Sequence, residues 1–104
     1  MNKFDILLKL KELKPKYEKE GLILLGLFGS YARDEADSNS DIDILYDLNE
    51  KEFFSHYPGF QTFNKLTEFK KELSDIFHHD IDIADKATLN EIGKENILKD
   101  LIYL

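Results

Sequence analysis

Four residues of this chain have types and a spacing that could do chemistry. Gly29 and Ser30 stand together, and after ten intervening residues come Asp41 and Asp43, separated by Ile42. Two carboxylates two positions apart on an extended segment point to the same face. There they repel, and each raises the other's pKa unless a cation lies between them. Mg²⁺ suits such a pair, because it takes hard oxygen ligands and is usually held by one or two carboxylates together with substrate phosphates. Gly29 lets the backbone turn sharply and approach a ligand closely. Ser30 offers a hydroxyl and an amide to a phosphate if it opens a helix. Arg33 is the only arginine among 14 Lys and Arg residues, and a guanidinium fork matches phosphate geometry. A turn that can cradle phosphates beside carboxylates that can hold a divalent ion is a place for chemistry on a nucleoside triphosphate.

The flanking residues must position this set. Leu22–Phe28 is apolar enough for a strand buried on both faces. Residues 30–36 then form a short helix or turn, and residues 41–47 a second strand with Ile42 and Ile44 turned to the core. Upstream, Ile6, Leu10, Leu13 and Tyr17 recur at helical spacing and predict a helix over 3–19. Pro15 predicts a kink or break near Leu13. Residues 48–60 read as an irregular loop with a Pro58-Gly59 turn. Its rings (Phe53, Phe54, Tyr57, Phe60) either pad the core edge or form an adenine-stacking wall or a partner surface.

Residues 61–77 predict an amphipathic helix with Phe63, Leu66, Phe69, Leu73, Ile76 and Phe77 on one side. Its lysines, Lys65, Lys70 and Lys71, read as a solvated face, with Lys65 a candidate to reach a triphosphate. Residues 80–84 predict a third strand with Asp80 and Asp82 on one face. Thr88-x-x-Glu91 reads as a capping box opening a last helix that buries Ile92, Ile97, Leu98, Leu101 and Ile102. His56, His78 and His79 read as loop residues rather than metal ligands.

Gly-Ser, ten residues, then Asp-x-Asp resembles the signature of the DNA polymerase beta-like nucleotidyltransferase superfamily. The fuller string resembles its minimal nucleotidyltransferase (MNT, MntA-like antitoxin) branch: Gly29-Ser30-Tyr31-Ala32-Arg33, then Ser40-Asp41-Ile42-Asp43-Ile44. The resemblance covers nearly the whole chain. It implies an α/β (α+β) fold, a small mixed β-sheet of three to four strands flanked by helices, in one domain over 1–104. It implies a third carboxylate in an apolar-Asp-apolar motif, matched by Ile81-Asp82-Ile83. Asp80 competes by alternation, and the family pattern favours Asp82. The implied roles are catalytic and metal-binding for Asp41, Asp43 and Asp82, and nucleotide-binding for Gly29, Ser30 and Arg33. One or two Mg²⁺ ions and ATP as AMP donor are implied, with a tyrosine of a HEPN-type toxin as acceptor. One position departs: the family has glycine after the arginine, and here it is Asp34.

Two rival functions stand beside this one. A small-molecule (aminoglycoside-type) nucleotidyltransferase would carry an extra helical domain, for which this chain has no room. A non-catalytic nucleotide-binding antitoxin module would not need the carboxylate set that is present here. Other motifs fail. Asp37–Asp41 resembles the start of an EF-hand loop, but the required Gly and Glu positions hold Ile42 and Leu48. No Gly-Lys-Ser/Thr or Gly-x-Gly-x-x-Gly follows a strand.

Composition sets bounds. A chain of 104 residues with 42% hydrophobic and 34% charged content is a globular domain, not a disordered one. A net charge of −7 argues against broad nucleic-acid binding and suits encounter with a basic partner. No apolar run spans a bilayer, and the first residues carry no secretory pattern. The absence of cysteine excludes disulfides and thiolate metal sites. A cytoplasmic location is therefore expected, and the sheet edge and residues 53–60 are open to homo- or hetero-oligomer contacts.

Overall fold

A computed structural model describes residues 1–104. The first helix, α1 (Lys3–Glu18), begins at a reciprocal cap: the Asp5 amide donates to Asn2 Oδ1 at 3.0 Å and the Asn2 amide to Asp5 Oδ2 at 3.1 Å. It buries Ile6, Leu10 and Tyr17. The break expected at Pro15 is absent, and the helix runs through it to Glu18. The carbonyl that Pro15 leaves without a donor belongs to exposed Lys11, where water can replace it.

Next come β1 (Leu22–Phe28), the single turn α2 (Gly29–Ala32), β2 (Ile42–Leu48), α3 (Glu50–His56), α4 (Gln61–Phe77) and β3 (Ile81–Asp85). A 3₁₀ turn (Lys86–Thr88), α5 (Glu91–Asp100) and β4 (Ile102–Tyr103) complete the chain. The sheet order is β3-β2-β1-β4. β1 pairs antiparallel with both β2 and β4, and β2 pairs parallel with β3. This mixture has one functional consequence: the end of β1 and the starts of β2, β3 and β4 all lie at the same edge of the sheet. The parallel β2–β3 pair needs a long crossover, which α3 and α4 supply.

The core lies between one sheet face and helices α1 and α4. It gathers Ile6, Leu10 and Tyr17 with Leu24, Leu27, Ile42, Ile44, Phe69, Leu73 and Phe77. Tyr17 is one of three tyrosines in it, with Tyr31 and Tyr46. Its hydroxyl donates to Glu72 at 2.7 Å, and burial pushes its pKa above the ordinary tyrosine range.

Several expectations are corrected. The short helix or turn expected over 30–36 is a single helical turn, Gly29–Ala32, and needs no correction beyond its bounds. The stretch 48–60 is not irregular throughout: Asn49 caps α3 by accepting from the Glu52 amide, and Phe53 is fully buried. Tyr57 is half-buried and donates to Glu20, so these two rings pad the core, whereas Phe54 and Phe60 face solvent. Phe63 is exposed as well, because it stands in the first turn of α4, beyond the core cluster. The last helix is capped by Asn90, which accepts from the Gly93 amide at 2.7 Å, not by Thr88. That helix has no fully buried residue; Ile92 and Leu98 are exposed, and Leu101 and Ile102 lie beyond its end. Ile102 instead begins β4 beside β1.

Candidate active site

The carboxylates meet at the shared edge of the sheet. Phe28 is the register partner of Asp43, and Asp43 is the register partner of Asp82. Asp43 therefore stands between the Gly29 turn on one side and Asp82 on the other. Ile42, Ile44 and Ile81 are buried, so alternation places Asp43 and Asp82 on the face away from that core. Asp41 is exposed and just precedes β2. Asp80 is exposed just before β3.

Gly29 has φ +75°, and a Cβ there would collide with the Asp43 carboxylate. The turn and the carboxylate are therefore in direct apposition, and only glycine permits it. The Asp43 carboxyl is pushed up to about 6 from an ordinary 3.8. Burial is the largest cause, followed by the charges of Asp82 and then Asp41, while Arg33 acts in the opposite direction. Three negative groups thus feel one another here, with no hydrogen bond to the Asp43 carboxylate to relieve it. No three His, Asp or Glu side chains are gathered tightly enough to ligate an ion unaided. The donor chemistry nevertheless fits Mg²⁺, which takes one or two carboxylates and completes its shell from phosphates and water.

Arg33 caps the end of α2. Its Nε donates to Glu35 at 2.9 Å and its Nη1 to Asp100 at 2.7 Å. It thereby ties the turn to the end of α5, leaving the second terminal nitrogen for another acceptor. Both partners hold its pKa above the usual value. Nothing in local spacing marks Asp100, which lies 67 residues from Arg33.

Asp34 resolves the one departure from the family pattern. It sits at φ +60°, the left-handed region where glycine is at ease and Asp is tolerated. Its carboxylate pairs with Lys3 at 2.8 Å. The backbone thus takes a path that glycine would favour, with Asp occupying it. We expect Asp34→Gly to shift stability by no more than about 1 kcal/mol, because relief of the left-handed strain offsets loss of an exposed ion pair. Asp34→Val should cost about 2 kcal/mol. Urea unfolding midpoints check both, and equal midpoints for the two variants would refute the strain argument.

Around the site, Tyr31 is buried and packs edge-on against His79, with ring centroids 5.8 Å apart. His78 ends α4 in the left-handed conformation. Lys65 does not lie free: its ammonium sits 3.4 Å from Glu20 and over the Tyr57 ring. Two open clefts meet at Asp41. One, of about 670 Å³, is wholly polar and is lined by Ser40, Asp75, His78, His79 and Asp80 among others. The other, of about 570 Å³, joins Asp41 and Asp82 to Thr67, Lys70, Lys71 and Ser74 of α4. From sequence, Lys70 and Lys71 read only as part of a solvated face, and nothing in the helical pattern separates them from it.

Comparison with known proteins bears on the family and the fold. A family model described as a nucleotidyltransferase domain matches residues 6–104. MJ0126 of Methanocaldococcus jannaschii, provisionally named a protein adenylyltransferase, is 38% identical over 90% of this chain and 85% of its own length. The protein adenylyltransferase MntA of Thermococcus cleftensis is 31% identical over 90% of this chain and 83% of its own length. A solved structure described provisionally as a minimal nucleotidyltransferase shares the fold, with a TM-score of 0.75 at 23% identity over 100% of this chain and 97% of its own. A toxin-antitoxin crystal structure with AMP-PNP superposes with a TM-score of 0.64 at 22% identity, covering 99% of this chain and 72% of its own. With a family match across almost its whole length and relatives at 31% and 38% identity, this chain belongs to the nucleotidyltransferase domain family, in its MntA-like branch.

Proposed function

We propose that this protein transfers AMP from ATP to a tyrosine hydroxyl of a HEPN-type toxin and so acts as its antitoxin. The observation that carries the reading is the placement of Asp43 between the Gly29 turn and Asp82. Gly29 and Ser30 cradle the β and γ phosphates, with the free nitrogen of Arg33 adding positive charge. Asp41, Asp43 and Asp82 would hold one or two Mg²⁺ together with the phosphates, and the ion would offset the charge on the triphosphate and on the attacking oxygen. The acceptor oxygen attacks the α-phosphorus, and the bond from that phosphorus to the bridging oxygen of pyrophosphate breaks. Asp82 faces the incoming hydroxyl and takes its proton, and pyrophosphate leaves on the Gly29 side. No helix of this protein is long and apolar enough to cross a membrane. We place the reaction in the cytoplasm, in keeping with the absence of cysteine.

The relatives' names support a protein acceptor, and the toxin-antitoxin neighbour supports a toxin partner. The test is a transfer assay with labelled ATP, Mg²⁺ and the protein encoded by the adjacent gene, read by intact mass. An added AMP that disappears with Asp41→Asn supports the reading. A stable inhibitory complex without a mass shift moves it to a non-catalytic antitoxin, and neither result moves it to a small-molecule acceptor.

The role of Arg33 is tested separately. Arg33→Lys keeps the charge but cannot span Glu35 and Asp100 together. We expect it to raise the KM for ATP by about ten-fold, with the loss reading as roughly 1.4 kcal/mol. A KM equal to that of the unaltered protein would remove Arg33 from the nucleotide's reach.

A further inference from the structure

We infer that one side of α4 is the docking surface for the acceptor protein, and that it takes a segment carrying an apolar residue and an acidic residue beside the modified hydroxyl. The inference rests on reading the chain as a protein adenylyltransferase. Phe60, the residue at the head of α4, is followed by Phe63, Thr67, Lys70 and Ser74, spaced three or four positions apart and therefore on one stripe of the helix. The stripe runs about 16 Å from Phe63 to Ser74. Its far end is not separate from the chemistry, because Thr67, Lys70, Lys71 and Ser74 share a cleft of about 570 Å³ with Asp41 and Asp82.

The direction of entry follows from the site. The Gly29 turn occupies the β1 side of Asp43, so a leaving pyrophosphate departs there. In-line displacement then brings the nucleophile from the opposite side, past β3 and Asp82, where this cleft opens.

Two features of the stripe say what fits it. Phe60 and Phe63 are 95% and 75% exposed, the most exposed of the phenylalanines, and they stand together at the start of α4. Lys71 is paired with Asp75 at 2.9 Å, whereas Lys70 is exposed and has no carboxylate partner. In a protein of net charge −7, an unpaired lysine at the mouth of the cleft is a local point of attraction for a carboxylate on the incoming chain. The occupant is therefore a polypeptide with an apolar anchor for the two rings and an acid for Lys70. Neither ring lines the cleft at Asp41 and Asp82, so a small acceptor seated in that cleft leaves both uncovered.

The test uses the protein encoded by the adjacent gene as the probe. Its affinity for this protein is measured by titration without ATP, and its KM as acceptor is measured with ATP and Mg²⁺. Phe60→Ser with Phe63→Ser should weaken the complex and raise the acceptor KM by about ten-fold or more, with the affinity for an ATP analogue unchanged. Lys70→Glu should raise the acceptor KM by about five-fold, less so at high salt, and an acid-to-lysine change in the acceptor should restore it. Unaltered affinity and KM in both variants would overturn the inference. If the unaltered protein binds but transfers nothing, and the phenylalanine variants still weaken the complex, the docking surface stands and the transferase reading falls. All these residues are at the surface, so unchanged unfolding midpoints exclude misfolding as the cause.

Discussion

On the proposed function, replacing Asp43 with asparagine should make this protein more stable at pH 7, by about 1–3 kcal/mol, while lowering transfer by a factor on the order of a thousand. The folded state holds the Asp43 proton up to about pH 6, where an ordinary aspartate loses it near 3.8. The folded protein therefore binds this proton more tightly than the unfolded chain, and stability falls as pH rises. Below pH 3.8 both states are protonated and the penalty is absent. It grows between 3.8 and about 6 and is fully present above that. Half-burial and partial relaxation keep the gain at or below what the pKa difference allows. The advantage of Asp43→Asn should thus emerge over the same pH interval, in urea unfolding of both proteins at pH 4 and pH 7. An asparagine variant that is no more stable at pH 7 than at pH 4, relative to the parent, would contradict the electrostatic account. The expected activity loss has a separate cause within the proposed mechanism: asparagine would not supply the negative oxygen that a divalent ion there would need, worth several kcal/mol. Mg²⁺ with ATP should raise the melting temperature of the parent and leave that of Asp43→Asn nearly unmoved.

Gly29→Ala is the second large effect. A side chain at φ +75° costs about 1–2 kcal/mol. Its Cβ also meets the Asp43 carboxylate, whose carbon would be 2.9 Å away, adding about 1–3 kcal/mol of overpacking. Transfer should drop by about a hundred-fold or more, because the carboxylate must move to make room. A double-mutant cycle isolates the collision. In an Asp43→Ala background the methyl group finds space, and only the backbone share remains. We expect a coupling of about 1–3 kcal/mol between the two sites. Strict additivity would mean that the turn and the carboxylate do not touch in solution.

What could be read from the sequence follows the range of the interactions. Gly29, Ser30, Asp41 and Asp43 were legible because a turn and an alternating strand are local patterns. The sheet register then brings Asp82 beside Asp43, where the family pattern had placed the third carboxylate. The short helix α3 was hidden by its aromatics, although Asn49 and Glu52 carry a capping spacing. The Thr88-x-x-Glu91 spacing misplaced the start of α5 by two residues, because the Asn90 side chain reaches the Gly93 amide and caps the helix instead. The amphipathic pattern of α4 gave the correct side for Phe69, Leu73 and Phe77. It could not show that the helix outruns the core at Phe63. β4 is two residues long and exists only through its bonds to β1, and the Arg33–Asp100 pair depends on the same closure. Neither has a local signature.

The position of β3 has a consequence for solubility. As an outer strand of the sheet it presents unpaired backbone groups to solvent, the kind of border along which a second copy can add and propagate into a fibre. Its sequence, Ile81-Asp82-Ile83-Ala84-Asp85 with Asp80 just before it, would suit such stacking were it not for the carboxylates. Like charges brought into register between copies repel, so the acids proposed for chemistry also guard the border. Neutralising them together should raise light scattering at a given concentration.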